Sequence, residues 1–308
     1  MDGNLYPMIF ERKSFHLFKD VGSIRQEELS QIEDFFCRCK PLLPEIPVEM
    51  KIVPAAETTC KRGQEYCILL YSEKQEGYLP NIGYIGQQLD LMLASMNIGT
   101  LWFGIGKTEV GSASGLDFVI MLAIAKVEET AFRKDMFKSK RKPLEEIWTH
   151  DHYHSIAQIA RFAPSACNTQ PWIVASGERE LKVYRYQKPG KRGIMPADKV
   201  SWYNRIDIGI FLLFLEVCME HEGLAFERTL FADPREEEKT LVAVYAVKLK
   251  KPQPGHKGKR NNPRPVAYSL QPSRVIPFQR WVPSVVNLAF CGFGDYLVHW
   301  THSFFVSS

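Results

Sequence analysis

The sequence has no CxxC pair, and its cysteines (Cys37, Cys39, Cys60, Cys67, Cys167, Cys218 and Cys291) are scattered and odd in number. That excludes a disulfide-dense scaffold, and reduced thiols in a cytoplasm are the expectation. No unbroken apolar run of signal-peptide length lies in Met1 to Phe18, so no export is expected. The most apolar stretch, Ile206 to Val217, is interrupted by Asp207 and Glu216. It is shorter than the ~20 apolar residues that span a bilayer and reads as a buried helix, so no membrane partner is expected for the body. Neither sign of charge dominates there: residues 1–249 hold 31 basic and 34 acidic side chains. Nucleic acid is therefore not an expected partner.

What is present is a soluble globular composition, 45% hydrophobic and 24% charged over 308 residues, enough for one large or two ordinary domains. From Lys250 the character changes. Residues 250–308 carry 8 basic side chains against 1 acidic, first among prolines and glycines, then in an aromatic run without period from Trp281. The expectation is an irregular tail outside the folded unit.

Apolar spacing and turn signals predict helices at Gln26 to Arg38, Ile82 to Asn97 (ended by Gly99), His154 to Phe162 and Ile206 to His221. Strands are predicted at Tyr66 to Tyr71, Phe118 to Ala125, Trp172 to Ala175, Leu181 to Tyr186 and Leu241 to Val247. Pro41 to Pro54 reads as a proline-punctuated connection. The order of elements repeats. A shift of 124 brings Pro47 onto Pro171, Ile82 onto Ile206, Leu89 onto Leu213 and Gly99 onto Gly223. A first half, 1–130, and a second, 131–249, would then share one pseudo-symmetric core.

The most informative string is Ala163-Pro164-Ser165-Ala166-Cys167-Asn168-Thr169-Gln170-Pro171-Trp172, between a helix and a strand. Two prolines fix the backbone, and Ser165 and Asn168 offer donors and acceptors. A rigid polar loop of this kind suits an edge-on grip of a heterocycle, although its composition also suits an ordinary connection. The triplet His150, His152 and His154 coincides with a helix start and lacks completing ligands, so no metal site is expected.

This string resembles the Pro-Ser-x-x-Asn-x-Gln-Pro-Trp loop of the nitroreductase family of flavin enzymes. Two further stretches are similar to family motifs: Arg12-Lys13-Ser14-Phe15-His16 near the N-terminus, and the basic run Lys138 to Lys142 leading into Pro143-Leu144-Glu145. Alone, that basic run would read as a solvated linker.

The resemblance implies an α+β sandwich binding FMN. Arg12 and Arg141 would grip the phosphate, with Ser14 and Lys140 on its remaining oxygens and Lys13 beside them. Pro164, Ser165, Ala166 and Asn168 would meet the ring, and Gly104 and Ile105 would pass near its reactive nitrogen. His16 stands where the family has a fixed cation, so a less oxidising, pH-sensitive flavin is expected unless His16 merely faces solvent. Each half lacks one of the paired motifs. The chain therefore looks like the single-chain tandem branch, a monomeric pseudo-dimer with one surviving site. No protein group would be catalytic in its own right, since the flavin bears the chemistry between NAD(P)H and a planar acceptor such as a nitroaromatic or quinone. The alternative is a non-enzymatic protein of the same fold, with or without flavin.

Overall fold

Two helices carry apolar residues on every side, with a few buried polar ones among them, and so need cover all round: α3 (Tyr78–Ser95) and α6 (Val200–His221). In the computed structural model they pack along each other at the centre, where their close approach depends on two glycines. A side chain on Gly83 would strike the carbonyl of Ile206, and one on Gly209 would strike the carbonyl of Pro80. The contact is reciprocal, and its two halves are related by an offset two residues longer than the 124 read from the sequence. The structure describes residues 5–248, apart from 188–189, 191 and 234–236. Contacts divide the chain into Met1–Pro252 and Gln253–Ser308. The predicted tail lies outside the described residues.

Each central helix belongs with an antiparallel sheet. The first contains β1 (Val48–Pro54), β2 (Tyr66–Ser72), β3 (Ile98–Phe103) and β4 (Asp117–Lys126) in the order β1-β2-β4-β3. The second contains β5 (Trp148–Thr149), β6 (Trp172–Ser176), β7 (Glu180–Tyr186), β8 (Ala225–Leu230) and β9 (Lys239–Lys248) in the order β5-β6-β7-β9-β8. Without the short parallel strand β5, the two orders are the same.

Strand β2 is apolar from Cys67 to Leu70 because both of its faces are covered. Ile68 and Leu70 join the core around α3 and α6, while Cys67 and Leu69 meet Phe15, Phe18 and Phe132 on the far side. Strand β7 alternates buried and half-buried residues, as a sheet covered on one face requires. Shorter helices complete the unit: α1 (Tyr6–Glu11), α2 (Gln26–Arg38), α4 (Leu144–Ile147) and α5 (His154–Ala160).

The structure corrects several expectations. Gly99 does not end α3; the helix stops at Ser95, Asn97 takes the left-handed turn (φ 55°), and Gly99 lies within β3. A side chain there would strike the ring of Phe15, so the glycine serves close packing. Helix α6 begins at Val200, six residues before the expected start. Strand β1 occupies what read as a proline-punctuated connection, because Pro54 sits at its end, where no ladder donor is lost. In the His150 to His154 stretch, the His154 ring pairs with Asp151 at 3.1 Å and bonds Gln158 at 3.0 Å.

Candidate cofactor site

The loop between α5 and β6 is held in an uncommon shape. Cys167, Asn168 and Gln170 all take positive φ (48°, 54° and 48°). Side chains hold it there. The Gln170 N–H donates to Ser165 Oγ (2.9 Å), and the Ala166 N–H donates to Asp207 Oδ1 on α6 (2.9 Å). Trp172, fully buried, stacks on Phe211 at 4.7 Å and fixes the exit.

The basic run is docked on this loop. Gln170 Oε1 accepts the Lys142 N–H (2.9 Å), and Lys142 Nζ donates to the Gln170 carbonyl (2.8 Å). Asn168 Nδ2 donates to the Lys140 carbonyl (3.1 Å), and Arg141 bonds Asn168 Oδ1 (3.3 Å) and the carbonyls of Lys140 (2.8 Å) and Phe162 (2.9 Å).

Four guanidiniums gather beside it. Arg12, at the end of α1, meets Asp90 of α3 at 3.1 Å through Nε, a charge contact rather than an aligned hydrogen bond, and reaches Ser14 Oγ at 3.4 Å. Burial, with Arg12, Arg133 and Arg161 close by, pulls Arg141 down to about 10. Burial and then Arg12 do the same to Arg133, against Asp90, again to about 10. Both remain charged at neutral pH. The buried Nε atoms of Arg141 and Arg161 have no partner. Clustered cations with idle donors fit a phosphate dianion.

A pocket of about 140 Å³ lies between the strand end at Trp102 and Gly104, the loop 164–167 and the first turns of α6. Ser14, His16, Ser165 and Asp207 give it polar edges, while Leu101, Ile206 and Ile210 give it apolar walls. This complement fits a planar heterocycle with polar rims. The space is tight. The ring of Tyr203 rests where a side chain on Gly104 would stand, and drug-sized ligand pockets start at about 300 Å³.

Of the residues singled out in the sequence, Ser14, His16, Gly104, Pro164, Ser165 and Ala166 line this pocket. Arg12 and Arg141 fall in the cation cluster. Asn168 does not line the pocket; it holds Arg141 and the Lys140 backbone. The Lys140 side chain is exposed, Ile105 is 66% exposed and off the pocket, and Lys13 sits over the ring of Phe15 at 4.6 Å. Sequence reasoning missed Asp207 and Tyr203 in the pocket, and Arg133 and Arg161 in the cluster. For Asp207 a signal existed: with Glu216 it interrupts the apolar run Ile206 to Val217.

A second pocket, about 420 Å³, repeats the construction in the opposite halves, with Leu42, Leu43 and Pro80 from the first and Leu230 and Val242 from the second. Val242 is the fourth residue of β9, as Ile120 in the other pocket is the fourth of β4. Asn81 Oδ1 accepts the N–H groups of Leu42 (2.8 Å) and Leu43 (3.0 Å), the task Asp207 performs for Ala166. Arginines stand here too, but against carboxylates: Arg205 lines the pocket, Arg185 meets Asp233 at 2.7 Å, and Arg228 bonds the Leu42 carbonyl (3.2 Å) while pairing with Glu216 at 2.6 Å. Arg205 there is engaged by Asp233 at 3.2 Å and by Ser201.

Residues 4–219 match the family described as "Putative TM nitroreductase". The structure is similar to that of a putative nitroreductase from Thermotoga maritima, with a TM-score of 0.53 and 18% identity, over 80% of this chain and 94% of that one. At that identity the likeness shows the fold alone, an α+β arrangement. A putative nitroreductase from Desulfovibrio desulfuricans in complex with FMN aligns at a TM-score of 0.37 and 16% identity, over 50% of this chain and 99% of that one. A putative NADH oxidase from Clostridium acetobutylicum aligns at 0.37 and 13%, over 47% and 99%. These two likenesses are too partial to argue from. No curated protein matches the sequence.

Proposed function

The chain belongs to this nitroreductase family of flavin oxidoreductases, and from that premise we propose that it binds one FMN and passes reducing equivalents from NAD(P)H to a planar acceptor such as a nitroaromatic or quinone. The observation that carries the reading is the group of Arg12, Arg133, Arg141 and Arg161 beside a pocket edged by Ser14, His16 and Ser165.

Arg141 and Arg161 would hold the phosphate through their idle Nε atoms. Arg12, anchored by Asp90, adds charge more than contact. Ser165 and Ala166 present the loop's polar edge, Gly104 allows backbone to approach the ring, and Tyr203 limits the space over it. Bound FMN supplies the hydride chemistry. The protein supplies grip, orientation and exclusion of water.

In this reading residues 1–249 are a pseudo-dimer, supported by the matching strand orders and the reciprocal contacts of Gly83 and Gly209. The arginines at the mate pocket are engaged by Asp233 and Glu216, and in this reading it holds no second FMN. The unit acts as a monomer in the cytoplasm, a compartment in keeping with the free thiols of Cys37, Cys39, Cys60, Cys67, Cys167 and Cys218. Among the described residues, no helix is long and apolar enough to cross a membrane.

The visible spectrum of the purified protein, followed by FMN titration and NAD(P)H oxidation in air, tests the proposal. One FMN per chain with turnover is the expected result. Two FMN per chain would overturn the single site. Bound FMN without turnover would make the protein a flavin store, and a colourless protein that ignores FMN would leave only the fold.

A further inference from the structure

Asp207 is the buried acid that the cation cluster does not use. It lies in α6, 3% exposed, on the wall of the 140 Å³ pocket. One oxygen, Oδ1, accepts the Ala166 N–H at 2.9 Å; the other, Oδ2, is buried with no partner. No cation pairs with it among the described residues. An ionised carboxylate in that setting would be costly, and a buried acid without a cation takes up a proton instead.

The other half supplies an internal comparison. Asn81 does the same work on the loop at Leu42 and Leu43, with its Oδ1 as acceptor, and its second atom, Nδ2, is a donor that is likewise buried and unpartnered. Holding the loop therefore needs only a neutral side chain with one acceptor. With a proton on Oδ2, Asp207 matches Asn81 atom for atom: acceptor toward the loop, donor on the other arm.

We propose that Asp207 is a neutral carboxylic acid whose Oδ2–H is a hydrogen-bond donor into the pocket, selecting planar ligands that carry a carbonyl oxygen or ring nitrogen at that edge. This rests on the flavin reading for the identity of the ligand, not for the state of the acid. Burial, opposed only by the Ala166 N–H, raises the Asp207 carboxyl from its ordinary 3.8 to about 8, so the donor is present at neutral pH and lost above it. The other titratable groups on the pocket are His16 from the N-terminal segment, Cys167 from the loop and Tyr203 from α6 itself. Strands β3 and β4 present none there, and α3 meets α6 through Pro80 and Gly83.

Infrared difference spectroscopy on the free protein, comparing the parent with Asp207→Asn, tests the acid directly. A protonated carboxylic C=O band at pH 7 that vanishes in the variant and bleaches on titration through about pH 8 is expected. Its absence at pH 7 would overturn the proposal. FMN dissociation constants against pH test the donor. The parent should weaken about tenfold per pH unit above the titration, Asp207→Ala should bind weakly at every pH, and Asp207→Asn should bind as the parent does at pH 7 with no alkaline limb. The limb must survive His16→Gln and Cys167→Ser. Its loss in either, or Asp207→Asn binding as poorly as Asp207→Ala, would overturn the proposal. A parent that binds no FMN would overturn the flavin reading instead, and the infrared titration would still decide the state of Asp207.

Discussion

Arg12 Nε stands 3.1 Å from Asp90 Oδ2, with only 3% and 1% of the two side chains exposed. Asp90 also accepts from Gln87 (3.1 Å), Thr100 and Trp102 (3.3 Å), so one carboxylate joins the N-terminal segment, α3 and β3. Asp90→Ala would leave Arg12 buried and uncompensated among other arginines. A loss of about 3–5 kcal/mol is expected in urea unfolding. The double variant Arg12→Met with Asp90→Ala should lose less than Asp90→Ala alone, because it strands no charge.

The cation cluster makes an ordered claim about FMN affinity. Arg141→Ala removes a charged donor and should weaken binding tenfold or more, since such hydrogen bonds contribute about 1.5–3 kcal/mol. Asn168→Ala removes a neutral partner of Arg141 and should cost less, while Lys13→Ala should leave affinity unchanged. Dissociation constants at two salt concentrations check the order. Equal affinities for parent and Arg141→Ala would place the phosphate elsewhere.

Gly83→Ala and Gly209→Ala would each drive a methyl into a carbonyl of the facing helix, where neither backbone can yield independently. Each should cost about 1–3 kcal/mol or more, lowering Tm by several degrees. Gly111→Ala has open space around it and is the control. Calorimetry showing all three alike would refute the close crossing of α3 and α6.

Asp207 also makes stability depend on pH. Its folded-state pKa is raised, so its contribution is full below the unfolded value of 3.8 and declines as pH rises toward about 8, while only the unfolded chain releases the proton. Asp207→Asn does not titrate. It should therefore gain stability relative to the parent steadily between about pH 4 and pH 8, with no further gain above. Parallel stability curves for the two proteins would mean that the carboxyl is not perturbed.

Residues up to Pro252 form one contact unit by themselves. Ending the chain after Lys250 should preserve both a cooperative melt and FMN binding. Loss of either would make the remainder part of the folded unit.

The sequence by itself determined the elements whose burial pattern is local. Helix α2, strands β2 and β4 and the order of elements in the two halves are legible because apolar spacing reports which faces are covered. The Pro164 loop and the arginine at each motif were legible as residue types. Tertiary structure alone decided what the intervening residues do. Strands β1, β3 and β8 carry little pattern of their own, since their partners and covering layers come from distant parts of the chain. Gly99 looked like a helix stop and proved to be the space for Phe15. Asn168, which its place in the motif marks as a ring contact, bonds Arg141 and the Lys140 carbonyl, partners that only the folded chain brings to the loop. Asp207 was visible only as an interruption of an apolar helix. That its second oxygen would be left alone beside a pocket depends on how α6 meets a loop some forty residues away, and spacing along the chain does not encode that meeting.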